Sequence, residues 1–300
     1  MLLRCVLSHM GTRGWAFKAW QDQAMSTGKS GHYPIERRAG EIERLRIQAE
    51  AMAENAAVML ERIGVAPGWR CLDLGCGPGG ITGLLAAKVG AKGRVVGMDA
   101  DPVFLEHARS EARAANLLNV EFLAGDAYET GLPRADFDLV HVRFLASTAG
   151  EPERLLREAM RIARPGGCVA FQEPDISTFR CFPAHPAWER LRDAVAEVFA
   201  RVGGDVRLGQ RLYPLARRAG LEDVQYRPFL VGVRSGDPMT DILPATAESM
   251  RAALLQHGLM TQAELDSAIA ACRSHLAQPE TVFTTYTVIQ VWGRTATTSP

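Results

Sequence analysis

The sequence predicts an α/β fold: a doubly wound, mostly parallel sheet of seven strands with a helical cap. Three observations carry this. Five short apolar runs, WRCLDL (69–74), GRVVGMDA (93–100), VEFLAGD (120–126), DFDLVHV (136–142) and CVAFQEPD (168–175), alternate with stretches of helical periodicity, the pattern of βαβ units. Right-handed crossovers turn such units into a doubly wound layer. After Asp175 the texture changes. VQYRPFLVGV (224–233) and TVFTTYTVIQVWG (281–293) read as two more strands with helical material between them. That suggests an antiparallel addition at one sheet edge plus a cap.

The elements follow in order. Residues 35–63 place Ile42, Leu45, Met52, Ala56, Met59, Leu60 and Ile63 near helical spacing, and Gly64 and Pro67-Gly68 end the run. Residues 79–89 read as a helix. Pro102 and Pro152 stand where a first helical turn tolerates proline, before helices over 104–116 and 153–163. In the cap, 185–202 and 211–220 read as helices, and 241–277 as two helices separated at Gly258. Phe182, Trp188, Phe199, Met239, Met250, Leu254, Leu255 and Met260 are its apolar residues, as core or as pocket lining. The expected organisation is an extension over 1–30, a helical lid over 31–64 and a core over 65–178. Cap helices and the last strands fill 179–293, with a frayed tail over 294–300.

Composition excludes several classes. Lys plus Arg and Asp plus Glu both number 34, so no global basic footprint for nucleic acid exists. No apolar run reaches the ~18 residues of a membrane span. The six cysteines form no CxxC or zinc spacing, so reduced thiols in the cytoplasm and no metal are expected. The first 24 residues are basic and carry no acid before Asp22. They fit a transit peptide or an upstream extension ahead of a start at Met25.

The chemistry centres on CLDLGCGPGGITGLL, 71–85. Ligands of open α/β sheets bind beyond the carboxyl ends of the strands, and the first strand ends at Leu74. Gly75, Gly77 and Gly80 satisfy G-x-G-x-x-G, a pattern that dinucleotide enzymes share. No Lys followed by Ser or Thr makes a P-loop. Asp73 suits an ammonium group better than a pyrophosphate. Asp99 ends the second strand, where a carboxylate can accept from two ribose hydroxyls. The ligand thus has a ribose, a positive group and no evident phosphate cradle.

DLGCGPG followed by VVGMDAD resembles the class I S-adenosylmethionine-dependent methyltransferases, whose fold is Rossmann-like. GDAYETGLP, DFDLVHV and ARPGGCVAF extend the likeness over about residues 50–175. Within the family the chain is most similar to the small-molecule branch that includes ubiquinone and menaquinone C-methyltransferases. The resemblance implies S-adenosyl-L-methionine as cofactor. It puts Asp73 at the methionine amino group, Gly75, Gly77 and Gly79 along methionine and ribose, and Asp99 on the ribose hydroxyls. It puts Ala100 beside the adenine, with Asp126 and Ala127 on the adenine side. For Asp126 a turn-forming role is the alternative. The segment before the core closes over the cofactor in similar enzymes. Tyr33 is the candidate aromatic near the sulfonium, with Arg44 and Gln48 following, or else lying on a solvated helix face.

Methyl transfer needs a base only when the nucleophile must lose a proton. His141, at the end of the fourth strand, and Glu173, at the end of the fifth, are the catalytic candidates. Each has an alternative: His141 as a hydrogen-bonded supporting residue, Glu173 as a partner for local backbone. Arg143 and Phe144 follow as pocket lining. The expected activity is methyl transfer to O, N or C of a small, apolar organic molecule, without nucleic acid and with a homodimer possible. A macromolecule methyltransferase and a non-catalytic cofactor-binding protein are the alternatives. Asp73 argues against an NAD-dependent reductase.

Overall fold

The computed structural model describes residues 39–297. The predicted Tyr33, Cys5, the extension over 1–30 and the last residues of the tail lie outside that range. Helices α1 (Ala39–Ala51) and α2 (Ala53–Ile63) lead into β1 (Arg70–Leu74), α3 (Thr82–Val89), β2 (Arg94–Asp99), α4 (Pro102–Ala114) and β3 (Val120–Ala124). Then come β4 (Phe137–Arg143), α5 (Ala146–Ala149), α6 (Pro152–Ile162) and β5 (Ala163–Asp175). The remainder runs β6 (Arg180–Phe182), α7 (Pro186–Arg201), α8 (Gly209–Arg218), β7 (Glu222–Phe229) and β8 (Gly232–Arg234). It ends with α9 (Ile242–Ser249), α10 (Arg251–Gln256), α11 (Gln262–Leu276), β9 (Val282–Thr284) and β10 (Thr287–Arg294).

Seven strands form one sheet in the order β3-β2-β1-β4-β5-β10-β7. All run parallel except β10, which is antiparallel to both β5 and β7. The chain winds outward from β1 to β3 and then crosses to β4, so the order reverses between β1 and β4. Their carboxyl ends are therefore the expected ligand crevice. The inner strands β1, β2, β4, β5 and β10 are buried on both faces, whereas the edge strands β3 and β7 are partly exposed. Leu72, Leu74, Val140, Val142, Val169 and Phe171 pack on one side with α6 and α8. Cys71, Leu139, Cys168, Ala170 and Trp292 pack on the other, against Ala56, Met59, Leu60 and Ile63 of α2. Period-two alternation in the strands and i, i+3, i+4 spacing in α2 produce these two cores.

Four predicted segments are divided. The helix over 35–63 breaks at Met52 (φ −103°, ψ −2°). Met52 is buried with Phe229 and Val288, so a tertiary contact outweighs local helical continuity. The strand over 224–233 leaves the large sheet after Phe229, and the strand over 281–293 breaks before Thr287. Thr285 holds the crossing: its N–H donates to Val231 O (2.9 Å) and its Oγ1 accepts from Val231 N (2.9 Å). The freed ends join β6 in a small antiparallel sheet, β6-β9-β8, which the sequence reading did not contain. The fourth is 241–277, which has a further break at Met250 and so makes three helices.

The cap has its own core. Trp188, Phe199, Met239, Met250, Leu254 and Met260 are buried there, with Ile47 and Ala51 of α1 packed against it. Phe182 is exposed. Among the described residues no helix is long and apolar enough to cross a membrane.

Candidate cofactor and acceptor site

The glycine turn lies at the β1/β4 reversal. Gly75 (φ +74°), Gly77 (φ +53°) and Gly79 (φ +102°) adopt left-handed backbone that L side chains rarely take. The turn is tied to β2 by Gly75 N (2.8 Å) and Cys76 N (3.0 Å), both donating to Met98 O. A Cβ at Gly75 would strike Leu145, whereas one at Gly77 would meet nothing within 4 Å. Gly77 thus presents its backbone to open space, and Gly75 serves packing.

Asp99 closes the turn. Its Oδ2 accepts from Gly77 N (2.8 Å) and its Oδ1 from Asp101 N (2.8 Å). Burial raises its pKa, and the two backbone donors pull the other way. Each oxygen keeps a lone pair, which suits a pair of vicinal hydroxyls. Ala100 beside it is exposed. Asp126 makes the turn expected of its alternative role, accepting from Tyr128 N (2.8 Å) through Oδ1. Ala127 is half-buried next to it.

Asp73 is engaged by side chains on both of its oxygens. It is 2% exposed. Thr82 Oγ1 donates to its Oδ2 (2.6 Å), and its Oδ1 lies 3.0 Å from His141 Nδ1. Hence Asp73 braces the start of α3 and the end of β4. His141 is 0% exposed, and its other nitrogen meets Gln172 Nε2 at 2.9 Å. Neither ring nitrogen is left for an acceptor, so the supporting role describes its geometry. Glu173 points to the opposite face. Its oxygens accept from Ala146 N (3.0 Å) and Ser147 N (3.1 Å), fixing the loop after β4. Burial pushes its pKa up to about 7, against those amides.

Arg44 and Gln48 lie off the solvated face of α1, which carries Glu43, Arg46 and Glu50. Arg44 and Gln48 are 9% and 8% exposed. Arg44 holds Glu41 in a fork (2.8 and 2.6 Å) and donates to Gln48 Oε1 (3.2 Å). Gln48 donates onward to the Tyr286 hydroxyl. Tyr286 stands edge-on to Phe144 (5.8 Å between centroids) and Phe179 (5.7 Å). Burial pushes the Tyr286 phenol up to about 12.

Arg143 ends β4 beside these rings, its guanidinium so close to Gly80 that a Cβ there would collide with it. Burial lowers its pKa from the ordinary guanidinium value, and the Asp73 carboxylate opposes that shift. Among the described residues its guanidinium makes no hydrogen bond or ion pair. The third glycine of G-x-G-x-x-G therefore makes room for a cation, which the motif alone does not reveal. Sequence reasoning also missed Thr82, Gln172 and Tyr286. The one available signal was Gln172, a polar residue inside an apolar strand.

Residues 71–167 match the family model described as a methyltransferase domain. A 37.1 kDa protein in transposon TN4556 of Streptomyces fradiae is 30% identical over 203 residues, 68% of this chain and 58% of that protein. The chain thus spans less than two thirds of that relative. Demethylmenaquinone methyltransferase of Bacillus cereus (strain AH187) is 30% identical over 183 residues, 56% of this chain and 76% of the relative. The chain belongs to the class I S-adenosylmethionine-dependent methyltransferases. Solved methyltransferases share the fold. One, from Bacillus halodurans, is described as putative: TM-score 0.54, 18% identity, 80% of this chain and 98% of that one. Another is phosphoethanolamine N-methyltransferase 2 of Haemonchus contortus, crystallised with S-adenosylhomocysteine: TM-score 0.52, 18% identity, 81% and 52%.

The residues fit the cofactor of this methyltransferase family. The Gly77 backbone is open, Asp99 offers two acceptor oxygens, and an uncharged turn suits a ligand without phosphate.

Proposed function

We propose that this methyltransferase acts on a small organic acceptor with an apolar body. The observation that carries the reading is the ring group Phe144, Phe179 and Tyr286, which gathers on Phe144 just past the carboxyl end of β4. The name of the Bacillus cereus relative supports a small-molecule acceptor. S-adenosylmethionine supplies a methyl group already activated by positive sulfur. Asp99 accepts from the ribose hydroxyls, Gly77 and Gly79 give backbone access, and Asp126 and Ala127 flank the adenine. Arg143 takes the amino-acid carboxylate in a charge-assisted pair. Arg44 and Gln48 hold Tyr286, and with it the acceptor wall. The protein's contribution is then orientation and exclusion of water, which in well-aligned systems supplies about 7–11 kcal/mol. Glu173 and His141 serve as supports, one for the loop bearing Phe144 and one for Asp73. The five described thiols are all unpaired and buried, which suits a reducing cytoplasm.

Calorimetric titration with S-adenosylmethionine, S-adenosylhomocysteine and NADH tests the cofactor site. Wild type should bind the first two at micromolar concentration. Asp99→Ala should weaken both by roughly 100-fold, as loss of two hydrogen bonds to a charged group at ~1.5 kcal/mol each implies. Arg143→Met should weaken them less. Binding of NADH alone would remove the assignment. Transfer of labelled methyl to RNA or protein, with none to a panel of phenols and quinols, would overturn the acceptor class.

A further inference from the structure

A row of buried polar side chains crosses five strands of the large sheet, from the glycine turn to the far edge. Asp73 stands on β1, His141 on β4, Gln172 on β5, Gln290 on β10 and Arg227 on β7. His141, Gln172 and Gln290 are at most 1% exposed. Polar groups buried this deeply destabilise unless each finds its partner, and here each does. Gln172 Oε1 accepts from Gln290 Nε2 (2.8 Å), and Gln290 Oε1 accepts from Arg227 Nη1 (2.7 Å). Arg227 Nη2 donates to Asn55 Oδ1 (2.7 Å), and Gln290 Nε2 also donates to the Asn55 carbonyl (3.1 Å).

The row has a direction that chemistry imposes. A guanidinium only donates, and a backbone carbonyl only accepts. Gln290 touches one of each, so its amide has one orientation: oxygen to Arg227, nitrogen to Asn55 O. The second Gln290 N–H then faces Gln172 and fixes the oxygen of that amide towards β10. Gln172 must present its NH2 to His141 Nε2. That nitrogen is therefore the acceptor, and the ring proton sits on Nδ1, donating to Asp73.

We infer that Gln172 and Gln290 are positioning residues of this methyltransferase. They hold His141 in its Nδ1–H tautomer and so keep the Asp73 carboxylate aligned under the cofactor turn. Gln290 acts from two strands away, and its orientation is set at the sheet edge by Arg227. The inference rests on the proposed cofactor site, because Asp73 matters through the turn that it braces.

Nitrogen-15 NMR of the imidazoles in the full chain reads the tautomer directly, with the His141 signals assigned by their loss in His141→Asn. Wild type should show a protonated Nδ1 and a pyridine-type Nε2. Gln172→Glu puts an acceptor opposite Nε2, so a proton should appear there. S-adenosylmethionine affinity should fall about tenfold, the scale of one lost buried hydrogen bond. Gln172→Asn retains an amide and should keep more affinity than Gln172→Glu. Should Gln172→Glu fail to fold, Gln290→Met removes the orienting contact farther from the turn and should leave the tautomer mixed. A wild-type proton on Nε2 overturns the inference. So does Gln172→Glu or Gln290→Met with wild-type tautomer and affinity. Failure of wild type to bind S-adenosylmethionine would instead sink the proposed function, whatever the tautomer.

Discussion

Glu173 shows how one buried carboxylate couples to pH. Its pKa is raised from 4.5 to about 7, chiefly by burial. The folded state therefore binds more protons than the unfolded state between those values. Its stability contribution is complete below about 4.5 and is lost as pH rises through about 7. The swing is on the order of 3 kcal/mol for a shift of this size. Urea denaturation of wild type from pH 4.5 to 8 should show that decline, and Glu173→Gln should flatten it. Equal slopes in both proteins would mean that another group carries the dependence. The sequence placed Glu173 at a strand end and left it two roles. The amides of Ala146 and Ser147 that meet its oxygens are 26 to 27 residues away. Asp99 could be marked as a candidate from its strand-end position alone. Arg143 was legible only as lining, because its contact with Gly80 arises from packing.

Helices were legible where one face alone is buried, and the core strands as short apolar runs between helical stretches. Helix α4 begins where Asp101 accepts from Val103 N (2.9 Å) and Pro102 follows, a start written in adjacent residues. The divided strands were not legible, since β-branched continuity runs straight through Thr285. The cap follows the same logic as a helical core. Trp188 is 0% exposed, lies 4.8 Å from Phe179 and 4.9 Å from Phe283, and its Nε1 donates to Phe179 O (3.3 Å). Trp188→Ala should cost about 3–5 kcal/mol in urea denaturation, the range for emptying an aromatic core site. Phe179 is also the neighbour of Tyr286, so cofactor-dependent methyl transfer should decline even where the variant stays folded. A loss below 1 kcal/mol would show that the cap does not unfold with the rest.

The large sheet closes only through the end of the chain. Strand β10 registers from Thr287 opposite Asp175 to Arg294 opposite Cys168, and its other edge pairs with β7. Truncation after Glu280 would open the edge of β5, strand β7 would lose its partner, and Gln290 would leave the polar row. Exposed edges of this kind invite association. The truncated chain should aggregate in size-exclusion chromatography and lose S-adenosylmethionine binding. A monomeric truncation that binds the cofactor would show that the first five strands fold alone. Long-range pairing of this kind also explains why the parallel core was easy to read and its completion harder. The five runs announce themselves by local period, whereas the place of β10 between β5 and β7 depends on partners far along the chain.

Local pattern alone indicated the βαβ class and the position of the glycine turn, and marked Asp99 as the candidate ribose carboxylate. Each of these depends on residues within one or two elements, where spacing dictates geometry. Tertiary structure alone decided which side chains Asp73 and His141 engage, what Gly80 makes room for, and where the last strands divide. Those outcomes depend on pairs such as Gln172 with Gln290, 118 residues apart. No periodicity records such a pair, and only burial forces its members to find each other.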